Sequence, residues 1–232
     1  MAETDELVEK GFEAFNSEQY EDAVCLFEQA LDLNPDNVAA YSGIACTMIQ
    51  INKYDEALGA LSYALTLDHK NIQLYSDRGF TYELMELYDL ANEDYDQAIE
   101  LDPNCFDAYF GKGRILAFQG CSGRAIFLYN TARKINPHDA QLYYLRAIAY
   151  HRLKKISKAA ADMDQAIQLD PSHGEYYFYL GKIKLLELHD VSGALLDFKK
   201  AASLGREVPK EWIQKMEKAT GQVWPAEENE KQ

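Results

Sequence analysis

The chain has 232 residues, 47% of them hydrophobic and 26% charged, with a formal net charge of −15. That balance fits a globular domain or a repeat array and excludes collagen-like and disordered chains. No apolar run approaches the roughly 18 to 20 residues that span a bilayer, and the acidic start MAETDELVEK is unlike a secretory signal, so the expected location is cytoplasmic with no membrane partner.

Cys25, Cys46, Cys105 and Cys121 are scattered, with no CxxC pair and no histidine at zinc-ligand spacing, so all four read as free thiols. The charge is uneven. Residues 1–105 hold 23 acidic against 4 basic side chains, a net of −19, and residues 106–232 hold 15 against 19, a net of +4. An acidic half repels phosphate backbones, so no nucleic-acid partner is expected.

From the N-terminus onward the chain repeats itself. Ala23, Ala57, Ala91, Ala125 and Ala159 are 34 residues apart, as are Ala30, Ala64, Ala98, Ala132 and Ala166, and the tyrosines 41, 75, 109, 143 and 177. Pro103, Pro137 and Pro171 keep the same step. Within one period, 140–173, apolar residues recur at three- and four-residue spacing in two blocks broken near Lys154 and Lys155, which predicts two amphipathic helices joined by a tight turn. Small alanines suit close helix approach in the second helix, the large tyrosine fills space in the first, and the proline ends the unit. Each hairpin needs a neighbour to cover its apolar face, so stacking should supply stability.

These residues resemble the tetratricopeptide repeat. With position 1 at Thr4, the third unit reads Tyr75, Gly79, Tyr82, Ala91, Tyr95, Ala98 and Pro103, a full match. The resemblance implies an all-α, right-handed superhelical solenoid of six 34-residue helix-turn-helix repeats, at 4–37, 38–71, 72–105, 106–139, 140–173 and 174–207. In chain order the departures are His69 in place of proline in the second unit, GCSG (120–123) in place of the common turn in the fourth, and one extra residue before Ala194 in the sixth. Residues 208–221 then read as a capping helix, with Trp212, Ile213 and Met216 over the last apolar face. Residues 222–232 read as a polar tail expected to be mobile.

Constellations for catalysis are wanting. Gly113 in GKGR falls at a helix-packing position, and Ser122 in GCSG reads as a turn serine with no nucleophile-elbow pattern. His69, His138 and His173 fall in equivalent loops too far apart to share a metal. The stretch NEDYDQ (92–97) lacks calcium-loop spacing. No enzyme, cofactor or metal site is expected.

The resemblance implies that first helices line a concave groove through positions 2, 5, 9, 12 and 13. The groove candidates are then Phe12, Phe15, Cys46, Phe80, Phe110, Arg114, Phe118, Tyr144, His151, Phe178 and Lys182, with Phe80, Phe110, Phe118, Tyr144 and Phe178 forming an exposed apolar stripe. In EYYFYLG (175–181), Tyr177 belongs to the core and Phe178 to the groove. A carboxylate clamp of the kind that holds chaperone tails in this family fails, because the relevant positions carry Val8, Phe12, Gly43, Gln73 and Asp77, or Ser42, Cys46, Asp77, Asp107 and Gly111. The expectation is a non-catalytic scaffold or adaptor that grips a protein or peptide segment, with a basic region of the partner facing the acidic half. The alternatives are a self-assembling structural solenoid, a weak homo-oligomer through head-to-tail contacts, and a chaperone for a secreted or assembling substrate.

Overall fold

The computed structural model describes residues 2–221; the tail expected over 222–232 lies outside them. The described residues form thirteen α-helices and divide into two compact units, parted between Gln119 and Gly120.

The first unit contains α1 (Ala2–Asn16), α2 (Tyr20–Leu33), α3 (Val38–Gln50), α4 (Tyr54–Leu67), α5 (Ile72–Leu84), α6 (Tyr88–Leu101) and α7 (Phe106–Phe118). Consecutive helices pair as hairpins, and α1, α3, α5 and α7 also touch in succession, giving the unit one face built from first helices. The second unit contains α8 (Ser122–Ile135), α9 (Ala140–Arg152), α10 (Ile156–Leu169), α11 (Gly174–Leu186), α12 (Val191–Ser203) and α13 (Lys210–Thr220). Here α9 pairs with α10 and α11 with α12, α8 packs on α9, α10 on α11, and α13 closes on α12.

The period in the sequence is a period in burial. None of the ten periodic alanines exposes any surface, and in each hairpin a large side chain lying between the alanines in sequence is fully buried: Phe27, Leu61, Tyr95, Tyr129, Met163 and Phe198. Burying each such large side chain is worth roughly 1.5–3 kcal/mol, and the alanines let the helices come close enough for it. Local chemistry sets the starts. Asn37, Asn71 and Asp139 accept hydrogen bonds from the backbone N–H groups of Ala40, Leu74 and Leu142, capping α3, α5 and α9.

Several sequence expectations are corrected in detail. The periodic tyrosines are half-buried apart from Tyr143, and the fully packed residue of each first helix is the one before: Ala40, Leu74, Ala108, Leu142 and Tyr176. Their hydroxyls reach loop carbonyls, Tyr143 donating to that of Pro137 at 3.1 Å and Tyr75 to that of His69 at 3.4 Å. Ser122 is no turn serine but the buried first residue of α8. His69 replaces proline without consequence, since α4 ends at Leu67 before Asp68, as α6 ends at Leu101 before Asp102. The extra residue of the sixth hairpin falls in the turn between Leu186 and Val191.

Candidate partner-binding face

In the first unit the first-helix face is apolar and acidic by turns. At its N-terminal end Phe12 lies half-buried, edge-on to Phe27 with ring centroids 5.0 Å apart. With Val8 it lines an open hollow of about 490 Å³ whose rim carries Asp5, Glu9, Glu13 and Asn37. Phe15 turns inward to the α1–α2 core, 6.0 Å from Tyr20. Cys46 is half-buried, and burial followed by the neighbouring Asp77 pushes its thiol up to about 11, which keeps it protonated and unreactive at neutral pH.

Asp77 is the acidic centre of this face. Burial pushes its carboxyl up to about 6; a hydrogen bond from Gln73 at 2.9 Å opposes the shift and the charge of Asp107 adds to it. One helix further on, the Arg114 guanidinium lies 5.0 Å from the Phe80 ring centroid and 5.1 Å from that of Phe110. It donates twice to Glu83, both at 2.9 Å, and the Tyr95 hydroxyl donates to the same carboxylate at 2.9 Å. Burial and the Glu83 charge push the Tyr95 phenol far up, so it serves only as a donor. Arg114 is thus held inside the unit by aromatic faces and a fork of hydrogen bonds.

The continuous apolar stripe expected from the sequence is interrupted. Phe110 is only 6% exposed, stacked on Phe106 at 5.4 Å, and Phe80 is half-covered by Arg114. Phe118 is the open one, 69% exposed with its ring 5.6 Å from Tyr88.

In the second unit Tyr144 lies among Tyr176 and Tyr179, with centroids at 5.1 and 6.0 Å, and burial first, then Glu175, pushes its phenol up to about 12. The His151 ring bridges α9 and α11, 3.0 Å from the Tyr179 hydroxyl and 3.1 Å from Glu187. Phe178 is partly covered within the fold. It is half-buried, stacked parallel to Trp212 of α13 at 6.4 Å, edge-on to Phe198 at 5.6 Å, and covered by Arg206 at 4.5 Å. Lys182 lies near the same rings, 5.9 Å from Phe178 and 5.6 Å from Tyr179.

Sequence reasoning passed over the buried ion pairs that tie the hairpins. Arg78 donates to Asp94 through two bonds of 2.7 Å and reaches Ser62 at 3.3 Å. Arg146 repeats this with Asp162, twice at 2.7 Å, and Asn130 at 2.8 Å. The signal was present as two Arg–Asp pairs, each 16 residues apart and 68 residues from one another. Among the described residues no group of three His, Cys, Asp or Glu is placed to hold a metal ion, and no helix is long and apolar enough to cross a membrane.

Three family models described as tetratricopeptide repeat match residues 14–76, 85–137 and 140–173, together more than half of the chain. BBSome complex member BBS4 of Mus musculus is 33% identical over 103 residues, which is 44% of this chain and 19% of that protein. Anaphase-promoting complex subunit 3 of Schizosaccharomyces pombe is 28% identical over 99 residues, 43% of this chain and 15% of that protein. The chain therefore spans less than a fifth of either curated relative. Among solved structures, a tetratricopeptide repeat protein from Parabacteroides merdae superposes with a TM-score of 0.68 at 25% identity, over 93% of this chain and 83% of that one.

Proposed function

The chain belongs to the tetratricopeptide repeat family, whose domains generally mediate protein–protein interactions, and we propose that it is a non-catalytic adaptor whose first unit holds a basic, amphipathic segment of a partner protein on the face of α1, α3, α5 and α7. The observation that carries this is the charge left over after internal pairing. Residues 1–119 hold 24 acidic and 6 basic side chains. Four of the six basic groups are engaged within the unit: Lys10 with Glu6, Arg78 with Asp94, Lys112 with Asp96 and Arg114 with Glu83.

The acidic rim therefore stays uncompensated around the apolar hollow at Val8 and Phe12, and around Asp77 and Asp107. An apolar side chain buried there contributes roughly 1.5–3 kcal/mol, so two or three anchors outweigh the ordering of a short segment and leave affinity near micromolar. The charge speeds encounter and selects a basic partner. Phe118, which is largely exposed, and Phe12, which lines the hollow, serve as the anchors, because Phe110 is packed within the unit. That the matched relatives are named as members of multi-protein complexes agrees with an adaptor role.

The test is affinity capture and mass spectrometry with the native chain beside an Asp77→Lys/Asp107→Lys variant that retains its helical content. The proposal expects the variant to lose a set of proteins that share basic segments. Capture of the same set by both would contradict it.

A further inference from the structure

A pocket of different chemistry lies in the second unit. Between α11, the start of α12, and α13 is an open pocket of about 350 Å³, walled by Leu185, Leu186, Trp212 and Met216, with Lys182 and Lys215 at its edge. Leu186 is 61% and Trp212 38% exposed, so the walls are apolar surface that the cap covers only in part. Three other cations of the unit are paired: Lys184 with Asp197 at 2.8 Å, Lys199 with Glu217 at 3.4 Å, and Arg206 with Glu175. Lys182 and Lys215 have no carboxylate partner among the described residues; Lys182 instead rests near the faces of Phe178 and Tyr179. An apolar hollow flanked by two uncompensated ammonium groups is complementary to one kind of occupant.

We propose that this pocket docks a segment of a partner protein that presents a large apolar side chain flanked by carboxylates. The apolar side chain enters between Leu185, Leu186 and Met216, extending the stack of Phe178 and Trp212, and the carboxylates meet Lys182 and Lys215. The site stands apart from the acidic face of the first unit and goes beyond the reading given above, since it selects the opposite charge. Residues 222–232 of the chain itself include Val223 and Trp224 followed by Glu227, Glu228 and Glu230, so they share the chemistry of the proposed occupant.

Fluorescence anisotropy of a fluorescein-labelled peptide of leucines and glutamates, titrated with the full chain, tests this. Saturable binding is expected, weakened about tenfold or more by Lys182→Glu/Lys215→Glu, lost when serines replace the peptide leucines, and unaltered by Asp77→Lys. That last variant separates failure of this site from failure of the first-unit reading. Absence of binding, equal affinity for the double variant, or equal affinity for the serine peptide would overturn the proposal. Binding that emerges only after removal of residues 222–232 would overturn it as well, because the pocket would then belong to that segment.

Discussion

Gly111 shows how a single side chain, or the lack of one, sets helix spacing. A Cβ at this position would lie 2.3 Å from the Tyr95 ring, and Tyr95 is held in place by its bond to Glu83. Gly111→Ala is therefore expected to cost about 1–3 kcal/mol in a urea unfolding curve, with an unchanged midpoint as the contrary result. The sequence displayed the glycine but not its reason, since it stands outside the positions that define the repeat. GCSG was likewise legible as a departure. Its cause is that Gly120 adopts the left-handed backbone (φ +79°) that Glu18, Asn52, Glu86 and Lys154 adopt in the matching turns at φ between +56° and +60°.

Asp77 carries the residue-scale prediction for pH. Its carboxyl is raised to about 6 from an ordinary 3.8, so between those values the folded state holds more protons than the unfolded state and stability falls as pH rises. Above about pH 6 the full penalty is present. Asp77→Asn removes it and is expected to stabilise the protein by about 2–3 kcal/mol at pH 7 and not at all below about pH 4. A gain independent of pH, measured by thermal unfolding across that range, would contradict this.

At the scale of elements, each tie holds three helices. Arg146 on α9 joins Asn130 on α8 and Asp162 on α10, and it is only 5% exposed. Asp162→Ala would leave a buried guanidinium without its carboxylate, a loss of about 3–5 kcal/mol, whereas replacing both members by apolar residues of similar volume should restore most of it. Equal losses in the single and double variants by chemical denaturation would show that packing, not charge, sets the effect. The hairpins were readable in advance because six copies of one pattern reinforce each other. The ties were not, because an arginine on a helix has the same appearance in sequence whether it faces water or an aspartate 16 residues away. The same limit applies to Phe178, whose register points to the first-helix face while α13 decides its exposure through Trp212.

For the whole molecule, the uneven charge was countable from the sequence, and the structure places most of it in one unit, residues 1–119. The division into units at Gln119 and Gly120 had no counterpart in the period, which runs through it without a break. The repeat register assigned the groove candidates to first helices but said nothing of their exposure. Covering by Arg114, Arg206 and Trp212 depends on side-chain placement that spacing alone does not specify.

In the proposed adaptor, the first-helix face of the first unit holds the partner. Photo-cross-linking amino acids placed singly at Phe12 and Asp107 on first helices, and at Glu28 and Tyr63 on second helices, test it most directly in the presence of captured partner. Cross-links are expected from Phe12 and Asp107 and none from Glu28 or Tyr63; cross-links confined to Glu28 and Tyr63 would place the partner on the second helices instead.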